Sequence, residues 1–256
     1  RIQVTYATHS PYFLEARHFS QVRRLTRSSD ATPVVSVHYS TVAEVKTRLL
    51  GILDGEVVDR RLDHNVADQL AIALFANRAF LVEGPTESSV FYGIGDRYFP
   101  GSLEAAGICI VFVGGKTSIP LAHAILDSMG VPVYTLFDAD RGFEARAQAK
   151  NKPQEKIDEE RNNHAAENRK LLRYFGLQEE DFPSASVSDK AAILDDQLEA
   201  YLSENWNEWV LACQSVEAEA GISLAKNTLA YRTATLKATG EVPEMLPQIL
   251  AKAKGE

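Results

Sequence analysis

Three almost continuously apolar runs alternate with amphipathic stretches in the middle of the chain, and this alternation constrains the fold more than any other feature. The runs cover residues 79–82, 108–113 and 133–137, and the stretches 88–98 and 118–129 between them have helical spacing. Strands that are apolar throughout are typical of a parallel sheet covered by helices on both faces. We therefore expect an α/β fold with a Rossmann-like parallel sheet, whose strands end along one edge.

The flanking segments have weaker patterns. Residues 2–6 and 34–37 alternate apolar and polar side chains, which predicts two strands joined by a short helical stretch. Residues 41–78 have apolar positions at three-to-four spacing and predict a connector of two helices. The charged segment 144–180 predicts partly solvated helices, and a short strand-like run at 191–194 precedes further helices.

Composition narrows the class of protein. A chain of 256 residues, 45% of them hydrophobic, can form one large domain or a domain with an appendage. No apolar run approaches the roughly 20 residues of a membrane span, so no membrane partner is expected. The two cysteines, Cys109 and Cys213, suggest neither a disulfide framework nor a zinc site, and a cytoplasmic location is the default. The chain opens at Arg1 inside an apolar run, and we expect it to be a piece of a longer polypeptide.

The formal net charge is −8, which argues against a broad basic surface for nucleic acid. The acidity does not exclude a nuclease, because divalent ions held by clustered carboxylates would reverse the local field. Net charge alone therefore leaves the question open.

Two carboxylates stand where the first apolar run ends. The strand stops at Glu83, the chain turns through Gly84 and Pro85, and the following helix has Glu87 in its first turn. This turn places both carboxylates at one edge of the sheet. Taken alone they also fit ordinary roles, with Glu87 complementing the helix dipole and Glu83 lying on the surface.

A second acidic pair, Asp138 and Asp140, follows the apolar run 133–137. Alternate positions of an extended segment can aim two carboxylates to one side, and hard cations such as Mg²⁺ require several oxygen ligands. An Asp-rich turn closed by Gly142 is the structural alternative. Because a parallel sheet delivers both strand ends to one crevice, the two acidic pairs together predict a metal site.

Three motifs together resemble the Toprim fold of topoisomerases, primases and related nucleases. They are Leu-Val-Glu-Gly-x-Thr-Glu at 81–87, Val-Gly-Gly-Lys at 113–116 and Asp-Ala-Asp at 138–140. Topoisomerases usually carry a third aspartate where Gly142 stands, so the chain is more similar to the OLD (overcoming lysogenization defect) nucleases, in which an ABC-type ATPase precedes the Toprim domain.

This resemblance implies a domain organisation. Residues 1–72 would be the tail of the ATPase and a helical connector, and residues 73–256 a Toprim nuclease domain with a helical insertion at about 145–185 and C-terminal helices. His9 resembles the histidine that senses the nucleotide γ-phosphate, a role that requires ATP and the intact ATPase. The alternative is an idle His9 beside a helix cap at Ser10.

The loop at 114–116 is not a complete phosphate-binding motif. Gly115, Lys116 and Thr117 mimic the end of a Walker sequence, but Ile110 stands where its leading glycine is required. By resemblance the loop follows the second strand of the sheet, where it either approaches a DNA phosphate or turns the chain.

The resemblance also implies two site residues beyond the sheet. Glu199, in Asp-Asp-Gln-Leu-Glu at 195–199, would bind a second metal, and Lys226 would stabilise the pentavalent phosphate. A solvated glutamate and an ordinary surface lysine are the alternatives. Three aromatic side chains at helical spacing, Tyr201, Trp206 and Trp209, are expected to belong to the core rather than to stack on bases.

The implied activity is hydrolysis of DNA phosphodiester bonds with two Mg²⁺ or Mn²⁺ ions about 4 Å apart. The ligands, directly or through water, would be Glu83, Glu87, Asp138, Asp140 and Glu199, with Asp138 bridging both ions. A homodimer through the full-length protein and a helicase partner are compatible with the resemblance.

Other functions remain open at this stage. A phosphatase of the haloacid-dehalogenase type would use Asp138 as its nucleophile, but it gives no reason for Glu83 and Glu87 and expects Thr or Val at position 142. A degenerate Toprim module for docking or dimerisation would not bind metal. Strand passage or primer synthesis is disfavoured, because no zinc-ribbon cysteines are present and nothing marks a particular Tyr as a nucleophile.

Overall fold

The computed structural model describes residues 4–64 and 69–256. The N-terminal segment has two short 3₁₀ helices, Pro11–Phe13 and Ala16–Gln21, followed by an antiparallel pair of strands, β1 (Arg24–Arg27) and β2 (Val35–His38). The strand predicted for residues 2–6 is wrong at 4–6, which are not in a strand; residues 2 and 3 lie outside the described residues. Residues 4–6 are exposed, so their alternating pattern has no buried face to stabilise a strand.

The predicted connector is helical in the residues that the structure describes: α1 (Val42–Arg48), α2 (Gly55–His64) and α3 (Gln69–Ala73), with residues 65–68 between α2 and α3 outside the described residues. The first is fixed by a capping box, in which Thr41 and Glu44 exchange backbone and side-chain hydrogen bonds. Val66, one of the apolar positions behind the prediction, lies outside the described residues.

The predicted α/β alternation is confirmed, and its elements form the second sheet. In chain order they are β3 (Arg78–Val82), α4 (Pro85–Tyr98), α5 (Ser102–Ala105), β4 (Ile108–Phe112), α6 (Ile119–Ser128), β5 (Val133–Asp138), α7 (Phe143–Ala149), α8 (Gln154–Tyr174), β6 (Ser186–Val187) and β7 (Ala192–Leu194). The chain then continues through α9 (Leu198–Asn205), α10 (Asn207–Ala220), α11 (Ala230–Lys237) and α12 (Met245–Lys254). No described helix combines the length and apolar composition that crossing a bilayer requires.

The strand order is β4-β3-β5-β7-β6. The first four strands are parallel, and the sheet ends in β6, which pairs antiparallel with β7. The prediction of a parallel sheet therefore holds except at this two-residue edge strand. Because β3, β4 and β5 are neighbours with parallel direction, the segments that follow them converge at one edge.

Helices cover both faces of the sheet, as the continuous apolar strands require. Side chains alternate between two apolar cores along β3, so that Leu81 belongs to one and Phe80 to the other. Phe80 contacts Phe91 of α4 edge-to-face, with ring centroids 5.0 Å apart. The predicted core aromatics are also confirmed: Trp206 and Trp209 are buried, and their indole N–H groups donate to Thr239 O and Thr235 Oγ1.

Helix α11 packs closely against α4, the helix that begins beside the acidic strand ends. A Cβ atom at Gly93 would lie 2.7 Å from both Arg232 O and Thr235 Cβ, so α11 approaches α4 where no side chain intervenes. Arg232 strengthens this contact with hydrogen bonds of 2.6 and 2.9 Å to Asp96. The position of α4 therefore depends on a small residue at 93.

Gly93→Ala should destabilise the protein by roughly 2 kcal/mol, because the overpacking cost exceeds the gain in helix propensity. Gly55→Ala is the matched control, since a Cβ there meets only ordinary contacts with the Lys46 side chain at 3.7–3.9 Å. Urea unfolding would show the midpoint falling for the first variant and unchanged or raised for the second. Equal stability of Gly93→Ala and the parent would contradict the packing argument.

Candidate functional site

The Glu83 side chain joins the ends of three strands. Its Oε1 accepts a hydrogen bond from the Asp138 backbone N–H at 2.8 Å, and its Oε2 accepts one from the Lys116 N–H at 3.1 Å. Its carbonyl accepts from the N–H groups of Gly114 and Gly115 at 3.0 and 2.9 Å. The carboxylate at the end of β3 is therefore held by the end of β5 and by the loop after β4.

Glu87 lies in the first turn of α4, which begins three residues earlier than predicted because Gly84 precedes it and Pro85 is its first residue. Its Oε2 accepts a hydrogen bond from the Gly84 N–H at 3.1 Å. Glu87 is buried. Burial raises the pKa of this carboxyl, and the nearby Glu199 carboxylate, in the first turn of α9, raises it further.

Asp138 is the last residue of β5, and its side chain is almost fully buried, with 6% of the residue exposed. Its Oδ1 has no hydrogen-bond partner among the described residues. Burial raises the pKa of Asp138 well above its usual range, and the negative charges of Glu83, Glu87 and Asp140 add to the shift. An unpartnered oxygen in this position is unusual, because buried polar atoms normally have a partner.

Crowding also affects Glu83. Burial raises its pKa to about 7, even though Lys116 and the Asp138 N–H favour its charged form. Three neighbouring carboxyls, those of Glu83, Glu87 and Asp138, thus have raised pKa values for the same reasons. A cation bound here would stabilise the ionised forms.

Asp140 has the opposite environment, and its backbone adopts the left-handed conformation with φ +57°. Its Oδ2 lies 2.5 Å from Lys116 Nζ and 3.1 Å from His164 Nδ1, and its Oδ1 lies 3.5 Å from Arg146 Nη2. Although burial raises the pKa of Asp140, the hydrogen bond from His164 and the charge of Lys116 outweigh it and lower the pKa to about 2. The negative charge of Asp140 is therefore stabilised by neighbouring positive and donor groups, unlike that of Asp138.

Two side chains from α8 complete this region, and neither was predicted. Asn168 is fully buried; its Oδ1 accepts from Lys116 Nζ at 3.1 Å and its Nδ2 donates to Ala139 O at 2.9 Å. His164 lies one turn earlier on the same helix face and contacts Asp140. The i, i+4 spacing of His164 and Asn168 indicates that both lie on one helix face and could have identified them. The charged residues around them instead predicted a solvated helix.

Gly142 departs from the topoisomerase pattern for a steric reason. A Cβ at this position would lie 2.1 Å from Asp196 Oδ2. Asp196, in the loop between β7 and α9, is held there by Arg146, whose Nη1 lies 2.6–2.7 Å from both its carboxylate oxygens. The ion pair of Arg146 and Asp196 therefore occupies the space that a side chain at 142 would need.

The remaining predicted residues are Glu199, Lys226 and His9, and Glu199 lies near the carboxylates. Glu199 is half-buried and close enough to Glu87 to affect its pKa. Lys226 is exposed on a short 3₁₀ helix, Leu224–Lys226, and no described hydrogen bond or ion pair joins its side chain to the carboxylates. His9 is exposed in the N-terminal segment, where Ser10 precedes a 3₁₀ helix without capping it through its side chain.

The donor set suits a hard divalent cation, since oxygen ligands predominate and Asp138 Oδ1 has no partner within the described part of the chain. Within residues 4–64 and 69–256, however, no three carboxylate, imidazole or thiol groups are arranged as a complete ligand cage. The chemistry therefore fits a cation, and Glu83, Glu87 and Asp138 are the residues that would hold it.

Residues 74–140 match the family model described as "Overcoming lysogenization defect protein-like, TOPRIM domain". The chain is 28% identical over 138 residues to the Old nuclease of Escherichia phage P2, a match that covers 54% of this chain and 22% of the relative. It is 29% identical over 146 residues to the OLD nuclease of Thermus scotoductus, covering 54% of this chain and 25% of the relative.

The matched segment spans about a quarter of the length of these relatives. The family match contains all three motifs that carry the resemblance: the turn after β3, the loop after β4 and the acidic end of β5. Residues 74–140 are therefore an OLD-like TOPRIM domain by this match, and about half of the chain is similar to nucleases of that name.

Proposed function

We propose that this chain hydrolyses phosphodiester bonds of DNA with the help of a divalent cation, Mg²⁺ or Mn²⁺. The observation that carries the proposal is the group of carboxyls at the ends of β3 and β5. Glu83 and Asp138 have raised pKa values there, and Asp138 Oδ1 has no partner among the residues that the structure describes. Nuclease-named relatives and the TOPRIM match support the reaction class.

Each residue has a distinct role in this proposal. Glu83, Glu87 and Asp138 would hold the cation, with Glu199 close to Glu87. When bound, the cation would activate water and neutralise charge on the phosphate. Arg146 and His164 lie beside Asp140, and their side chains, 33% and 27% exposed, would contact a phosphate bound at the sheet edge.

Several finer expectations remain predictions. These are the ATPase tail at 1–72 with nucleotide sensing by His9, the two-ion mechanism, phosphate stabilisation by the exposed Lys226, a homodimer, a helicase partner and a cytoplasmic location. The matched segment spans only about a quarter of the length of the relatives.

The alternatives are distinguishable by chemistry. An Asp138 nucleophile must be ionised, whereas burial and neighbouring carboxylates favour its protonated form in the absence of a cation. Trapping of a phosphoaspartate from a small phosphoester would support the phosphatase, and failure to bind any divalent cation would support a docking module.

Nicking of supercoiled plasmid is the direct assay. With Mn²⁺ the parent chain should produce nicked and linear DNA, and Glu83→Ala or Asp138→Ala should slow cleavage by at least about 100-fold, since even outer-shell partners of metal sites are worth 10–100-fold. Asp189→Ala is the control, because Asp189 is an exposed aspartate whose described ion pair is with Lys252.

Cleavage by the parent that disappears with chelator and in both site variants, but persists in Asp189→Ala, is the expected result. Equal cleavage by the parent and Asp138→Ala would show that the nuclease activity does not use this site.

A second prediction concerns stability without divalent ions at pH 8. Asp138→Asn should raise the free energy of unfolding by about 1–3 kcal/mol, because the folded parent must either bury a carboxylate that lacks a partner among the described residues or take up a proton, and Asn requires neither. Asp96→Asn is the matched control and should lower it by about 1–2 kcal/mol, since Asp96 is ion-paired with Arg232 and accepts from the Gly101 N–H.

Thermal unfolding with and without Mn²⁺ measures both effects. The parent and Asp96→Asn should be stabilised by Mn²⁺, whereas Asp138→Asn should not respond. Destabilisation of Asp138→Asn in the absence of metal would contradict the charge-crowding argument.

A further inference from the structure

Charge compensation divides the carboxylates into two groups. Asp140 faces positive or donor groups on both of its oxygens, with Lys116 and His164 at Oδ2 and Arg146 at Oδ1. Asp138, two residues earlier, has an oxygen with no partner among the described residues. Of these two aspartates, Asp140 therefore has a positive or donor group at each oxygen, whereas Asp138 can still accept a cation at one oxygen.

Lys116 is a fixed charge rather than a mobile side chain. Only 5% of the residue is exposed, and its Nζ lies 2.6 Å from Asp138 O, 3.1 Å from Asn168 Oδ1 and 2.5 Å from Asp140 Oδ2. These three acceptors match the three N–H donors of an ammonium group. Its backbone N–H is bound as well, to Glu83 Oε2.

Asn168 keeps the ammonium in place. Its amide nitrogen donates to Ala139 O and Asp181 O at 2.9 and 2.8 Å, which directs its oxygen toward Lys116. Rotation of the amide would leave the buried Ala139 carbonyl and the partly buried Asp181 carbonyl without these donors. The α8 helix thereby fixes the lysine head beside Asp140.

The surroundings of Asp140 disfavour a divalent cation. Any ion bound to Oδ2 would lie next to the Lys116 ammonium, and any ion on Oδ1 would lie next to Arg146, which Asp196 holds in place. Like charges in a partly buried site repel strongly, because the dielectric is low. Asp138 Oδ1, by contrast, has no partner among the described residues, so no positive group already occupies it.

We propose that the site takes a single divalent cation, held by Glu83, Glu87 and Asp138, and that the Lys116 ammonium replaces a second ion at Asp140. In this arrangement Asp140 positions Lys116 and is not a metal ligand, and Lys116 acts through Asp138 and Asp140 without touching substrate. The inference rests on the proposed metal-dependent function and changes the ion number that the resemblance implies.

The test is a calorimetric titration of the chain with Mn²⁺, accompanied by electron paramagnetic resonance of the bound ion. The parent should bind one Mn²⁺ per chain, with the spectrum of an isolated ion. Asp138→Asn and Asp140→Asn are a matched pair, because each removes one negative charge at positions two residues apart, and Asn tolerates the left-handed backbone of position 140. Asp138→Asn should weaken binding by at least about tenfold, whereas Asp140→Asn should keep the ion.

Lys116→Met provides the complementary measurement. Removal of the ammonium frees Asp140, so a second Mn²⁺ should bind and the spectrum should show coupling between two ions. A purely structural lysine would not change the ion count. If Lys116→Met fails to fold, the comparison of the two Asn variants decides the question by itself.

The outcomes separate the two proposals. Two Mn²⁺ ions on the parent, one of them lost in Asp140→Asn, would overturn the single-ion inference and leave the metal-dependent function intact. No Mn²⁺ binding by the parent would overturn the proposed function itself. One ion that survives Asp140→Asn and is lost in Asp138→Asn would support both.

Discussion

The hydrogen bonds accepted by the Glu83 carboxylate are the constraint on which the site depends. One oxygen accepts from the last residue of β5 and the other from the loop after β4, so a single side chain fixes three strand ends relative to each other. This places a negative charge where burial raises its pKa to about 7. The Glu83 carboxylate connects the three strand ends although its burial is energetically unfavourable. Unfavourable buried groups of this kind are concentrated at functional sites.

The two aspartates at the end of β5, Asp138 and Asp140, differ in the partners of their carboxylates. Asp140 is surrounded by Lys116, His164 and Arg146, whereas one Asp138 oxygen has no partner in residues 4–64 and 69–256. A protein that needed only stability would pair or replace such a carboxylate, as it does at Asp96 with Arg232. The asymmetry between the two aspartates is the basis for both the proposed cation and the proposed number of ions.

The sequence predicts the sheet well and its surroundings poorly. The runs at β3, β4 and β5 are predicted to within one residue, because strands buried on both faces leave a continuous apolar signal. The start of α4 is missed by three residues, and the strand predicted at 2–6 fails at 4–6, where the backbone is exposed. Alternation of polar and apolar residues predicts a strand only if one face becomes buried.

For the site, the sequence by itself determined which carboxylates converge: acidic residues directly after parallel strands must meet at one edge, whatever the rest of the chain does. Only the tertiary structure decided which of these carboxylates have positively charged partners. Lys116, Arg146 and His164 reach Asp140 from three different elements, the loop after β4, α7 and α8. Side-chain contacts between separate elements depend on how those elements pack, and no sequence periodicity records that packing.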